Sequence, residues 1–108
     1  MDPKTAARCQ ARAHIIKALA HPTRVFLMEE LARGERCVCE LTGMVGADTS
    51  TVSKHLSLLK AAGLVQDEKR GTMVYYHLRI RCALGFLDCV ESMVRSVAEE
   101  QLELVNGR

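Results

Sequence analysis

Asp48-Thr-Ser-Thr-Val-Ser-Lys-His-Leu-Ser-Leu-Leu-Lys-Ala-Ala-Gly-Leu-Val65 reads as a short helix stopped by glycine, with a strand starting behind it. On a wheel of 3.6 residues per turn, Val52, Leu56 and Leu59 share one narrow arc. Ser50, Lys54 and Ser57 fall on the opposite side, which carries small hydroxyls and one lysine and no bulky apolar group. Such a face suits a DNA major groove, where serine and threonine bond base edges or phosphates and lysine neutralises phosphate. Taken alone it is equally the face of an ordinary solvated helix, so the flanking sequence has to decide.

Downstream, Leu64–Lys69 and Thr72–Leu78 read as two strands around the tight-turn signal Arg70-Gly71. In the second strand Val74, Tyr76 and Leu78 alternate with Met73, Tyr75 and His77, so one face is expected to be buried. Upstream, residues 5–19 carry Ala7, Ala11, Ile15, Ala18 and Leu19 at helical spacing, and His21-Pro22 breaks the run. A second helix, about Pro22–Arg33, buries Val25, Phe26, Met28 and Leu31-Ala32 and stops at Gly34. Cys37–Val45 reads as a third, closed by Gly46, and Asp48 or Thr49 caps the fourth, which ends on Gly63. A last helix covers about Cys82–Val105. Its Phe86, Val90, Met93 and Val97 step by four, three and four, and Leu87 and Val94 widen the stripe into a seam of the kind that pairs helices.

The order is α-α-α-α-β-β-α, a mainly α chain with a two-stranded β-wing. A short helix, a Gly-containing turn, a polar-faced helix and a basic hairpin make a winged helix-turn-helix. Residues 1–108 are expected to form one such domain, and a homodimer through the terminal helices, 5–19 and 82–105. Ser50, Thr51, Ser53, Lys54 and Ser57 are the candidate groove face. Lys69 and Arg70 at the hairpin tip are candidates for phosphate or the minor groove beside it.

Charge supports this only weakly. The 15 Lys and Arg against 13 Asp and Glu leave +2, too little to argue for nucleic acid. Residues 1–36 hold seven basic and four acidic side chains (+3) and residues 79–108 four and five (−1), so an anionic partner should avoid the last helix. No apolar run is long enough to span a bilayer and no secretory signal is evident, which gives a cytoplasmic expectation without a membrane partner. No Ser/His/Asp set, phosphate loop or acid pair is recognisable, so no enzyme is expected.

Five cysteines in so short a chain need a reason, and an odd count in a reducing compartment is not a disulfide framework. They are either small buried hydrophobes or a site for metal or redox chemistry. Cys37 and Cys39 would lie about 200° apart in a regular helix and could not face one ion. Straddling the helix start after Gly34-Glu-Arg36 loosens that geometry, with Val38 turned inward, and the unpaired N–H groups there should favour thiolate. Cys82 and Cys89 form an alternative thiol site. They are nearly eclipsed but about 10.5 Å apart along one helix, so each would need a partner from elsewhere. His14, His21, His55 and His77 are scattered, with His55 best placed as a partly buried hydrogen-bonding residue.

Leu19-Ala-His-Pro-Thr-Arg-Val25, Glu35-Arg-Cys-Val-Cys-Glu-Leu41, Ser50-Thr-Val-Ser-Lys-His-Leu56 and Ala62-Gly-Leu-Val65 resemble the ArsR/SmtB family of metal- and metalloid-responsive repressors. The resemblance covers residues 14–80, and its Cys-Val-Cys-Glu-Leu piece looks like the Cys-Val-Cys-Asp-Leu box of the arsenic/antimony and cadmium/lead repressors. It implies a homodimer on operator DNA, a double-stranded inverted repeat, released when a thiophilic ion binds. The chain departs from the pattern in several places. Thr42 stands where one arsenic type has a third cysteine, the N-terminal arm has only Cys9, and Ile80, Cys82, Met93 and Ser96 replace the Asp and His of the family's zinc site on the last helix.

Soft ions prefer sulfur, and As(III) or Sb(III) forms three bonds, so Cys37 and Cys39 call for a third thiol, Cys9 of the same or the partner subunit. Cd, Pb or Zn are alternative inducers. Two rival readings share the fold: a repressor that senses oxidants or persulfide through its thiols, and a protein-interaction module with structural cysteines.

Overall fold

In a computed structural model, which describes residues 1–107, the chain folds as α1 (Pro3–Leu19), α2 (Pro22–Ala32), β1 (Arg36–Cys37), α3 (Val38–Val45), α4 (Thr49–Ala61), β2 (Val65–Arg70), β3 (Met73–Leu78) and α5 (Ala83–Val105). Helices α1 to α4 each start on a side-chain cap. Asp2 accepts from Thr5 N at 2.7 Å with Pro3 behind it, so α1 begins two residues earlier than its apolar spacing implied. His21 Nδ1 accepts from Thr23 N at the start of α2, and Asp48 Oδ1 accepts from Thr51 N at the start of α4.

The wing has a third strand that alternation could not reveal. The sheet order is β1-β3-β2, all antiparallel, with Arg36 opposite Tyr76 and Cys37 opposite Tyr75. Two residues are too few to show a period of two. The hairpin loop is Gly71-Thr72 rather than Arg70-Gly71, because Arg70 still pairs with Met73. Gly71 has φ 63°, a conformation that favours glycine and suits a two-residue hairpin.

Leu27, Met28, Leu31, Leu41, Val52, Leu56, Leu59 and Val65 fill the centre, so the predicted arc of α4 is its buried face. In α2, Leu27 is fully buried while Val25 and Phe26 are only half-buried. Tyr76 and Leu78 turn inward from β3, as their alternation implies. Arg24 ties three helices together: its Nε donates to Ala18 O at 2.6 Å and its Nη1 to His55 Nδ1 at 3.0 Å.

The terminal helices stand apart from this core. Of α1 only the last turn packs, through Ile15, Ala18 and Leu19, leaving Ala7 and Ala11 exposed. Along α5, Ala83, Leu84 and Leu87 meet the core, whereas Phe86, Val90, Met93, Val94 and Val97 are exposed. The radius of gyration is 17.2 Å, against about 13 Å for a compact chain of this length.

Candidate nucleic-acid interface and thiol site

Two features dominate the surface. The first is the outward face of α4. Ser50, Thr51, Lys54 and Ser57 are exposed and Ser53 is half-buried, on a helix whose opposite side is fixed in the core. Ser50 Oγ donates to Asp48 Oδ1 at 2.9 Å, so its hydroxyl is engaged in the cap unless DNA displaces it. Those hydrogen bonds from Thr51 and Ser50 hold the Asp48 carboxyl below the usual carboxylate range. Leu58 corrects the expectation of a face without bulky apolar groups. It is 52% exposed and borders a shallow depression with Ser53, Lys54, Ser57 and Ala61.

At the wing, Lys69 is exposed, but Arg70 is not a free cation. Its guanidinium donates to both oxygens of Glu35, at 2.6 and 3.1 Å, and to Glu68 at 2.7 Å, and it stacks 4.6 Å over the Tyr75 ring. The tip is thus close to neutral, and among the described residues Lys69 is its unengaged charge. His77 Nε2 is 3.1 Å from Gln66 Oε1, a cross-strand pair on the outer wing.

The second feature is the Cys37–Cys39 pair, which straddles a secondary-structure junction. Cys37 closes β1 and caps α3 while Cys39 lies in the first turn of that helix. Glu40 N donates to Cys37 Sγ at 3.3 Å and Cys37 N donates to Glu40 Oε1 at 3.1 Å, the reciprocal arrangement of a capping box with sulfur in place of a hydroxyl. Cys37 is buried and Cys39 exposed, with Val38 packed inward between them. The helix start does not produce the expected thiolate at Cys37. The neighbouring Cys39 side chain, and then burial, push the Cys37 thiol above its ordinary range and outweigh the Glu40 N–H.

Among the described residues, no three of His, Cys, Asp and Glu come together as a metal cluster, so Cys9, exposed on α1, does not join the pair within one chain. Cys82 lines an apolar groove between α1 and α5 with Ile15, Ile16, Leu19 and Phe86, and Cys89 is exposed further along α5. Thr42, in the place of the resemblance's third cysteine, holds a buried Oγ1 with no hydrogen-bond partner. His55 behaves as expected. It is half-buried, accepts from Arg24, and lies 4.4 Å from the His21 ring; burial, then His21 and Arg24, hold its pKa below the usual histidine value.

A helix with a polar outer face, preceded by a short helix and flanked by a hairpin, defines a winged helix-turn-helix DNA-binding domain. Residues 21–67 match the model of the arsR family of bacterial regulatory proteins. The chain is 44% identical over 72 residues to an arsenical resistance operon repressor of Bacillus subtilis, covering 66% of this chain and 69% of that one. It is 40% identical over 68 residues to the transcriptional repressor SmtB of Mycobacterium tuberculosis, covering 63% of this chain but only half of that protein. The homodimeric winged helix-turn-helix domain Mb0332 of Mycobacterium bovis superposes with a TM-score of 0.68 at 32% identity, over 95% of this chain and 92% of that one. This chain belongs to the arsR family. It is a DNA-binding transcriptional regulator and not an enzyme. Among the described residues no helix is long and apolar enough to cross a membrane.

Proposed function

We propose that the protein is a homodimeric repressor that holds operator DNA when its thiols are empty and releases it when Cys37 and Cys39 bind As(III) or Sb(III). The observation that carries this is the position of the sulfurs: one is the cap of the helix that leads directly, through Gly46 and Ala47, into the DNA-facing helix α4. Bonds from Cys37 to an ion would fix the direction of the same sulfur that accepts from Glu40 N–H. Ion capture therefore re-aims the start of α3, whose far end sets where α4 begins.

Dimerisation is supported by the exposed apolar stripe on α5, which a second copy would cover. The chain supplies two soft donors at one place, which fits two of the three bonds that As(III) makes. Cys9 from the partner subunit is the third. Capture of neutral As(OH)₃ is a condensation in which each thiol proton leaves with an arsenic hydroxyl as water, so no net proton is released. A divalent ion such as Cd²⁺ instead displaces one proton per thiol.

Titrating the reduced dimer with arsenite and counting arsenic–sulfur bonds by X-ray absorption tests this reading. Three sulfurs per arsenic in the native protein and two in Cys9→Ser are expected. Three sulfurs retained in Cys9→Ser would remove Cys9, and oxygen-only coordination would remove the whole site.

A further inference from the structure

The thiol pair and the wing meet in one sheet. Cys37 lies opposite Tyr75, and on its other edge Tyr75 lies opposite Glu68. A single residue, Arg36, separates Cys37 from Glu35, whose carboxylate grips Arg70 at the far end of the hairpin through two hydrogen bonds. Arg70 also stacks on Tyr75. The guanidinium is thus held between the segment that carries the thiols and the strand that pairs with it. A bidentate fork of this kind is directional, and it fails when the two planes shift relative to each other.

We infer that Glu35 is a positioning residue that couples the thiols to the wing. With the sulfurs empty it holds Arg70 and the hairpin tip in the posture that accepts DNA, and ion capture at Cys37 and Cys39, by displacing β1, breaks that hold. The inference rests on the thiol reading above and adds a second route to it, through the wing as well as through α3 and α4. The device suits a two-state switch. The ion pair is partly exposed, so it is weak enough to open.

The test uses the full-length dimer, a duplex of the DNA immediately upstream of its own gene, and sodium arsenite. Glu35→Gln keeps every cysteine and should bind arsenite with unchanged stoichiometry. Its arsenite-induced loss of DNA affinity should be smaller than that of the native protein by about fivefold or more. Arg70→Gln should show the same deficit, and the double variant no further one, because both remove one contact. A Glu35→Gln protein that releases DNA by the native fold-change overturns the inference. Independently of any substitution at the latch, the ¹⁵N–¹H signal of Arg70 Nε should move when arsenite saturates the native dimer and stay still in Cys37→Ser. A signal unmoved in the native dimer also overturns it. The two levels separate cleanly: a Cys37→Ser protein that still responds sinks the thiol reading and this inference with it, whereas a silent Cys37→Ser beside a fully responsive Glu35→Gln sinks the latch alone.

Discussion

Cys37 has two jobs in this structure, and two substitutions pull them apart. Its sulfur accepts from Glu40 N at 3.3 Å while its own N–H donates to Glu40, so the residue is the Ncap of α3 as well as a thiol donor. Serine at this position would give a Ser-x-x-Glu capping box with a better acceptor than sulfur, offset by burial of a hydroxyl in a site that is 3% exposed. Those two terms are of similar size, so Cys37→Ser should stay within about 0.5 kcal/mol of the native stability. Alanine leaves Glu40 N–H without its partner, and losing a cap costs about 1 kcal/mol. At roughly 4–8 °C per kcal/mol for a domain of this size, Cys37→Ala should melt about 5 °C below Cys37→Ser, compared at one protein concentration. Both variants should lose the arsenite response equally. The assay is thermal unfolding by circular dichroism beside an arsenite titration of DNA release. Equal melting points would refute the capping role, and a response surviving in the serine variant would refute the ligand role.

Other consequences follow from the remaining surfaces. Lys54→Ala should weaken binding to all duplexes alike and flatten the dependence of log affinity on log salt by about one unit per bound subunit, with arsenite affinity unchanged; an unaltered slope would take Lys54 off the phosphate backbone. Met93→Glu combined with Val97→Glu places charge in the exposed stripe of α5 and should give a monomer by sedimentation, with DNA affinity lower by about a hundredfold or more, whereas a dimer that survives would place the interface elsewhere. Burial, and then His21 and Arg24 beside it, hold the folded pKa of His55 below the unfolded value near 6.5. The stability it contributes is complete above about pH 6.5 and is lost as pH falls through the lower folded value. His55→Gln should flatten the stability profile between pH 7 and 5, a range above that in which Glu40, Asp48 and Glu68 titrate. An acid slope identical to the native one would contradict this.

Much of the architecture could be read from residue periodicity, because α4 and β3 each carry their apolar side chains at one clean spacing. The face of α4 was legible from Val52, Leu56 and Leu59 alone. β1 was not, since a two-residue strand has no period and exists only because β3 offers it an edge. The position of Cys37 and Cys39 at a helix start could be inferred from the glycine upstream, but the state of the Cys37 thiol could not. Dipole reasoning pointed down, while the Cys39 side chain two residues on, and then burial, which only the fold sets, won. Arg70 looked like a free cation for the same reason. Glu35 is 35 positions away in sequence and meets it only once β1 joins the sheet. The exposure of Leu58 was in principle available, since it lies about 120° from the Val52 arc on the helical wheel.

The central claim is that an ion on Cys37 and Cys39 is felt as loss of DNA. Fluorescence anisotropy of a labelled duplex from upstream of the gene, bound to the reduced dimer and titrated with arsenite, tests it most directly when run beside Cys37→Ser/Cys39→Ser. The native complex should dissociate with a midpoint that follows arsenite occupancy, while the doubly substituted protein stays bound throughout. Dissociation of both at the same arsenite concentration would contradict the account.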